Sequence, residues 1–407
     1  MKIHALILVI PVLLSFGCKK ETPAGPKDPK PVNLTAKASQ VIANSNEFGI
    51  DLFRETAVLE EGNLMLSPLS AGTALSMLLN GCNSGTYTQI RDMLGYQDLT
   101  MEEINDTYQS LVAQLLTIDP EINLTLANSV WYRQGFEVKS PFIERLETAY
   151  QARTEALDFN NPSAVNTING WASDNTNGKI DKVLDNISPD AVMFLMNALY
   201  FKGRWTYQFD NSLTSPFRFN PENGDGANVP MMMGNFPYRK YSDNLCTAVE
   251  LNYGQQNYAM DIIVPNGSLS SYLQQFTGDS WLAITAGLDA ITNPQTAEIV
   301  IPKFKFEYEK YLNDQLQALG MTDAFNPELA DLTGISDEDI FVSFVKQNTF
   351  VDVNEEGTEA AAVTTIGIEV TSAPEPVVVD KPFIFAIRER LSNTLLFIGK
   401  VEMPEYE

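Results

Sequence analysis

The chain has 407 residues and carries 27 basic against 52 acidic side chains, a formal net charge of −25. Six of the basic and two of the acidic residues fall within residues 1–37, so the rest carries 21 against 50, a net charge of −29. So acidic a body repels nucleic acid and anionic lipid, and it argues against heparin or another sulfated polysaccharide as a cofactor.

The only histidine is His4. Ser-His-Asp and Cys-His catalysis and histidine-ligated zinc or iron are therefore excluded from everything after it. No phosphate-cradling glycine loop appears, and no Asp/Glu pair stands apart from solvated surface. The expectation is a protein that is not an enzyme and has no cofactor and no metal.

The N-terminus reads as a separate module. Lys2, Ile3 and His4 precede an apolar stretch from Ala5 to Phe16 that ends at Gly17-Cys18. A short basic start, a short hydrophobic run and a small residue make a secretory signal over 1–17. A cysteine directly after the small residue looks like a bacterial lipoprotein cleavage box, with Cys18 lipidated. The alternative is an ordinary signal peptide with a chance cysteine. Residues 18–37, rich in Lys and Pro, read as the lipidated cysteine and an extended tether. The expected address is an exported bacterial lipoprotein at the periplasmic face or the cell surface, touching membrane through its lipid alone. Cys82 and Cys246 are too few for a disulfide scaffold and read as buried thiols.

Residues 38–407 read as one domain. Leu34 to Thr56 has helical spacing, with Val41, Ile42, Phe48, Leu52 and Phe53 on one face. Asn63 to Ser67 is a short strand, and Pro68 opens a helix bearing Ala71, Leu75, Leu78 and Leu79. Ile122 to Tyr132 alternates as a strand, and Ser163 to Asn177 is an amphipathic helix. Ala191 to Phe201 is nearly all apolar and reads as a central strand buried on both faces. Leu245–Tyr253 and Tyr258–Val264 alternate like paired strands. Thr296–Phe306 and Phe341–Val353 read as long strands, and Val377–Phe385 as a buried one. Phe383–Arg388 and Leu395–Val401 close the chain. With no βαβ rhythm, no repeat and no second linker, the fold class is α+β in one domain.

Residues 355–371 are Glu-Glu-Gly-Thr-Glu-Ala-Ala-Ala-Val-Thr-Thr-Ile-Gly-Ile-Glu-Val-Thr. They begin at a glycine hinge and continue as small and β-branched residues without Pro, aromatic or base. Pro374 and Pro376 follow. If Thr358 faces inward in a strand, then Ala360, Ala362, Thr364, Ile366, Ile368 and Val370 share its buried face. Every charge of Thr358–Val370 then falls on the exposed face, which spares a buried carboxylate costing several kcal/mol. The competing reading is a surface loop whose alternation is accidental.

This segment resembles the reactive-centre loop of the serpins, the loop-inserting protease inhibitors. Glu355, Glu356, Gly357, Thr358, Glu359, Ala360, Ala361 and Ala362 match the inhibitory hinge. Val377, Val379, Asp380, Lys381, Pro382 and Phe383 to Ile387 match the C-terminal signature. Four more blocks agree in order and spacing: Asn63 to Gly85, Asn128 to Trp131, Ile168 to Ile180, and Asn197 to Trp205. The resemblance implies three β-sheets, about nine helices and an exposed reactive-centre loop at about 355–376. It also implies a monomer that traps an endopeptidase. The protease would attack Thr371–Ser372, with Val370 or Glu369 as alternative bait, and stay bound to Thr371 as an acyl-enzyme. The loop would insert from Thr358 onward. Some 14 residues at roughly 3.3 Å each would carry the protease about 40 Å, distorting its active site before deacylation.

The resemblance further implies that Glu355 pairs with Lys303, that Ser67, Ser70 and Asn197 form a polar cluster under the sheet opening, and that Trp205 packs where insertion begins. Ser67 and Ser70 also suit helix capping beside Pro68. The position that usually supplies a histidine to this cluster is Gln347, whose amide can both donate and accept. No Lys or Arg lies between Lys346 and Lys381, and no aromatic, Leu or Met between Val351 and Val379. Trypsin- and chymotrypsin-like partners are thereby disfavoured, and elastase-, subtilisin- or papain-like endopeptidases favoured. The alternative function is a non-inhibitory serpin-fold binding or carrier lipoprotein.

Overall fold

The computed structural model describes residues 28–359 and 376–406. The chain opens with helix α1 (Ala36–Ala57), started by the Thr35 hydroxyl accepting from the Ala38 amide. Strand β1 (Leu64–Leu66) leads into α2 (Pro68–Leu79), where Ser67 caps the Ser70 amide and Pro68 takes the first helical position. Helices α3 (Ser84–Met93) and α4 (Met101–Leu115) follow, the latter behind a Thr100/Glu103 capping box. Next come β2 (Ile122–Arg133), α5 (Ser140–Tyr150), β3 (Arg153–Leu157), α6 (Ser163–Asn175) and β4 (Met193–Arg204). The middle of the chain is mostly strand: β5 (Ser215–Phe219), β6 (Ala227–Ser242), β7 (Cys246–Tyr253) and β8 (Tyr258–Pro265). Then come α7 (Leu269–Leu273), α8 (Gly278–Asp289), β9 (Gln295–Pro302), β10 (Phe304–Tyr311) and α9 (Asn313–Ala318). The last strands are β11 (Lys346–Asn354), β12 (Gly357–Thr358), β13 (Val377–Val378), β14 (Phe383–Glu389) and β15 (Thr394–Val401).

The strands make three ladders. One has the order β10-β11-β12-β4-β2-β3, antiparallel except between β2 and β3. A second runs β1-β15-β14-β8-β7-β6, and a third joins β5, β6, β9 and β13. Strand β6 belongs to both of these, pairing with β9 through Met231–Tyr238 and with β7 through Arg239–Ser242. One apolar core lies between the helices and the sheets, another between the sheets, and a third, around Trp131, Ile168, Trp171 and Phe194, under α6. Cys82 and Cys246 are buried and unpaired. Three arginines and three acids meet where β7, β8 and β14 adjoin α8. Arg388, fully buried, donates to Asp261 at 2.8 Å and Glu250 at 2.7 Å and contacts Asp289, while Arg390 and Arg239 also reach Glu250.

Five expectations need correction. Thr296–Phe306 is not one strand: Pro302 ends β9 in one ladder and Phe304 begins β10 in another, with Lys303 at the corner. Strand β11 begins at Lys346 rather than Phe341, because its partner β10 ends at Tyr311 opposite Lys346. Val377–Phe385 is broken before Phe383, leaving β13 beside β9 and β14 between β8 and β15. Strand β4 is central, but its first half is only partly buried, since it borders an unfilled gap. Finally, residues 28–35 are no free tether. Asn257 clamps the backbone of Lys30 from both sides, at 2.9 and 2.8 Å, and Gln114 does the same to Asn33, at 2.8 and 3.1 Å. Val32 and Leu34 pack on the inter-sheet core.

Candidate functional site

Strand β11 ends at Asn354, and the chain turns through Glu355 and Glu356 to re-enter the sheet as β12. Among the described residues, Gly357 and Thr358 are seated, paired on one side with Asn354 and Val353 and on the other with Arg204 and Gly203. Gly357 is required here. Its φ is +150°, and a Cβ would lie 2.1 Å from the Gly203 carbonyl oxygen and 2.7 Å from the Arg204 Cα.

The turn is held by charge and by an aromatic wall. The Glu355 carboxylate lies 2.8 Å from the Lys303 Nζ and accepts from the Thr214 hydroxyl at 2.7 Å. Burial alone would push this carboxyl up, but those two hydrogen bonds hold it below its ordinary value. Lys303, from the corner between β9 and β10, also sits 4.1 Å from the centre of the Tyr406 ring. The Trp205 amide donates to the Glu356 carbonyl and its indole N–H to the Asn354 carbonyl, each at 2.9 Å. The Glu356 amide is satisfied by Asn354 Oδ1 at 3.1 Å.

Trp205 stacks on Tyr253, with centroids 4.3 Å apart and planes 11° off parallel. The Tyr253 hydroxyl is 2.7 Å from the Thr358 hydroxyl, and Thr358 is 3% exposed. Thr358 therefore faces inward, the orientation on which the alternation was counted. Glu359 does not follow the predicted outward exposure. Its φ is +59°, its carboxylate accepts from the Tyr200 hydroxyl at 2.8 Å, and only 5% of the side chain is exposed. The outer face is covered there by the turn after α6, which brings Lys179 to 3.7 Å.

Below Thr358 no strand bridges β4 and β11 among the described residues. A cavity of about 530 Å3 opens between them, lined by Ser70, Leu75, Leu195, Asn197, Gln347 and Thr349 among others. Gln347 is locked onto the backbone of Ser67, accepting from its amide at 2.8 Å and donating to its carbonyl at 3.0 Å. The Ser67 hydroxyl donates to the Leu396 carbonyl at 2.8 Å and accepts from the Ser70 amide at 3.2 Å. Asn197 lines the same cavity, but it is not hydrogen-bonded to this group. It donates to Asn128 on β2 at 2.7 Å, and its own Oδ1 is buried without a partner. The expected single polar cluster is thus two half-clusters, one on each side of the gap.

The bait residues Glu369, Val370, Thr371 and Ser372, the hinge alanines Ala360, Ala361 and Ala362, and Cys18 lie outside the described residues. Tyr253, Tyr200, Asn128, Thr214 and Tyr406 escaped the sequence reading. Tyr253 and Tyr200 sit in apolar strand patterns that read as plain core, Asn128 opens a matched block without a role being assigned to it, and Thr214 and Tyr406 carry no local signal.

A family model described as Serpin (serine protease inhibitor) matches residues 43–404. A serpin-like protein of Methanosarcina mazei is 32% identical over 395 residues, covering 92% of this chain and 89% of its own. The leukocyte elastase inhibitor of Sus scrofa is 33% identical over 386 residues, covering 90% and 100%. Among solved structures, the thermophilic serpin tengpin in its native state superposes with a TM-score of 0.80. It is 31% identical and covers 93% of this chain and 97% of its own. Human thyroxine-binding globulin, complexed with thyroxine, superposes with a TM-score of 0.82. It is 26% identical and covers 91% and 100%. With the family model spanning most of its length, the chain belongs to the serpin family.

Proposed function

We propose that the protein is a suicide-substrate inhibitor that traps a serine or papain-like cysteine endopeptidase as an acyl-enzyme. The observation that carries this reading is β12, two residues of hinge seated in register above an unfilled gap. Continued in that register, positions 358 to 368 run the length of β4 from Gly203 to Met193. Position 364 meets Asn197 on one side and Gln347 on the other. Thr364 would bring a hydroxyl to the orphaned Asn197 Oδ1 and join the two polar half-clusters. An inserting strand thus gains backbone pairing on both edges, apolar burial in the cavity and one repaired acceptor. Cleavage at Thr371–Ser372 would release that gain, and deacylation would compete against it.

The loop composition, with Val370-Thr371 and no cation, favours an elastase-, subtilisin- or papain-like target. The resemblance to a leukocyte elastase inhibitor supports the small-pocket class. Lipidation at Cys18 would anchor the inhibitor at a bacterial membrane face, where it would protect the cell from such enzymes. A carrier reading draws on the likeness to thyroxine-binding globulin. The seated Thr358, the open gap and the alanine-rich hinge favour the inhibitor.

The test is to mix the protein with elastase-, subtilisin-, papain- and trypsin-type proteases and analyse denaturing gels with mass spectrometry. The expected result is an SDS-stable complex with a released fragment beginning at Ser372. In Thr358→Arg, a guanidinium forced into the site beside Tyr253 should leave the protein a plain substrate. Clean cleavage by every protease without a complex would favour the carrier. Trapping by Thr358→Arg would refute the insertion mechanism.

A further inference from the structure

We propose that Glu359 is the stop that sets how far the hinge is pre-inserted, and that Tyr200 and Lys179 hold this stop in place. The inference deepens the inhibitory reading and rests on it. Glu359 directly follows β12. Its amide still donates to the Asp352 carbonyl at 3.1 Å, but its backbone turns into the left-handed region, which a side-chain-bearing residue avoids unless held there.

What holds it is its carboxylate, turned back along the slot. One oxygen accepts from the Tyr200 hydroxyl, and the other faces the Lys179 ammonium. Tyr200 is braced in turn by Asn177 at 3.3 Å, and Lys179 stands 4.7 Å from the centre of the Phe350 ring. The turn that carries Asn177 and Lys179 is itself fixed by positive φ at Asn177 and Gly178.

The register shows what this arrangement blocks. After Glu359, the next outward-facing place in a continued strand lies between Tyr200 of β4 and Phe350 of β11. The Glu359 carboxylate is bonded to Tyr200 and faces the cation above Phe350, the two residues that flank that place. Further insertion must reverse the Glu359 φ, break the Tyr200 hydrogen bond and withdraw the carboxylate from Lys179. Burial pushes the Glu359 carboxyl up, Asp352 adds to this, and Tyr200, Lys179 and Lys202 oppose it. The stop is retained by the Tyr200 hydrogen bond and the Lys179 contact, and removing either partner loosens it. In this reading Tyr200 and Lys179 are positioning residues.

The experiment follows the intact protein at a temperature below its melting point and measures its rate of conversion to a heat-resistant, loop-inserted form. Tyr200→Phe should convert about tenfold faster than wild type, the worth of one hydrogen bond to a charged group, and Lys179→Met, which loses an ion pair at 3.7 Å, about threefold faster. Glu359→Ala should be fastest, and Glu359→Gln, which keeps the Tyr200 contact but loses the charge facing Lys179, should convert at the rate of Lys179→Met. The unfolding midpoint of the unconverted form should barely move, separating a kinetic stop from general loosening. Unchanged conversion in Tyr200→Phe and Glu359→Ala would overturn the stop while leaving the inhibitor reading intact. If wild type is cleaved by every protease without a complex, and the nicked protein gains no heat resistance, the inhibitor reading fails and the stop falls with it.

Discussion

Replacing Gly357 by alanine should uncouple loop cleavage from protease trapping. The added Cβ would meet two backbone atoms of β4, at 2.1 and 2.7 Å, and neither can swing away as a side chain could. Relief requires β12 to separate from β4, with loss of the pairing at Gly357 and Thr358 and of the Trp205-to-Glu356 hydrogen bond. Two such bonds at about 1 kcal/mol each, with about 1 kcal/mol for alanine at positive φ, total about 3 kcal/mol. If the same seating occurs on the path to insertion, insertion slows about a hundredfold, each 1.4 kcal/mol being about tenfold in rate. Deacylation of the protease is untouched by the substitution, so the partition moves from complex to cleaved product. Titration of active protease against the variant gives the moles consumed per mole trapped. A steep rise with unchanged loop cleavage is expected. A wild-type stoichiometry would show that the hinge need not pass through the seat beside Gly203, and the steric reasoning would be wrong.

Two further outcomes follow from buried polar groups. Gln347→Leu removes both hydrogen bonds to the Ser67 backbone and strands its buried N–H, while the carbonyl keeps the Ala71 amide, so urea unfolding should show a loss of about 1–3 kcal/mol. Asp261 is fully buried with one oxygen unpartnered; burial pushes its carboxyl up to about 7, Glu250 adds to the rise, and Arg388 opposes it. Its folded value lies above its unfolded value of 3.8, so the native state holds the proton longer. Stability should therefore fall as pH rises from about 4 to about 7, then level off as the native carboxyl ionises too. Asp261→Asn should flatten that slope in thermal unfolding across the window; an unchanged slope would assign it to other groups.

The α+β class was legible because it rests on periodicity, and the hinge because its composition is distinctive. What the sequence concealed was tertiary. Lys303 lies between two strands where the apolar phase shifts from Ile299 and Ile301 to Phe304 and Phe306, a one-residue slip hidden by continuous strand-like composition. Residues 28–35 carry no hydrophobic period, and their docking depends on two distant amides, Asn257 and Gln114. Asn197 and Gln347 share a row across the sheet, yet the gap between their strands keeps them apart, and no local pattern encodes that gap. Glu359 looked like an exposed charge because alternation assumes an extended backbone, which its positive φ abandons.

The stacking of Trp205 on Tyr253 gives this molecule a built-in optical channel. The chain has four tryptophans. Trp131 and Trp171 form an edge-to-face pair between α6 and the sheet beneath it, and Trp281 is buried in α8. Trp205 alone donates its indole N–H to the hinge turn, against a tyrosine whose hydroxyl touches Thr358. A hinge leaving or entering its seat changes the ring, the hydroxyl and the carbonyl around one chromophore. A chain in which Trp131, Trp171 and Trp281 are phenylalanine would report the hinge by emission alone, with no attached dye.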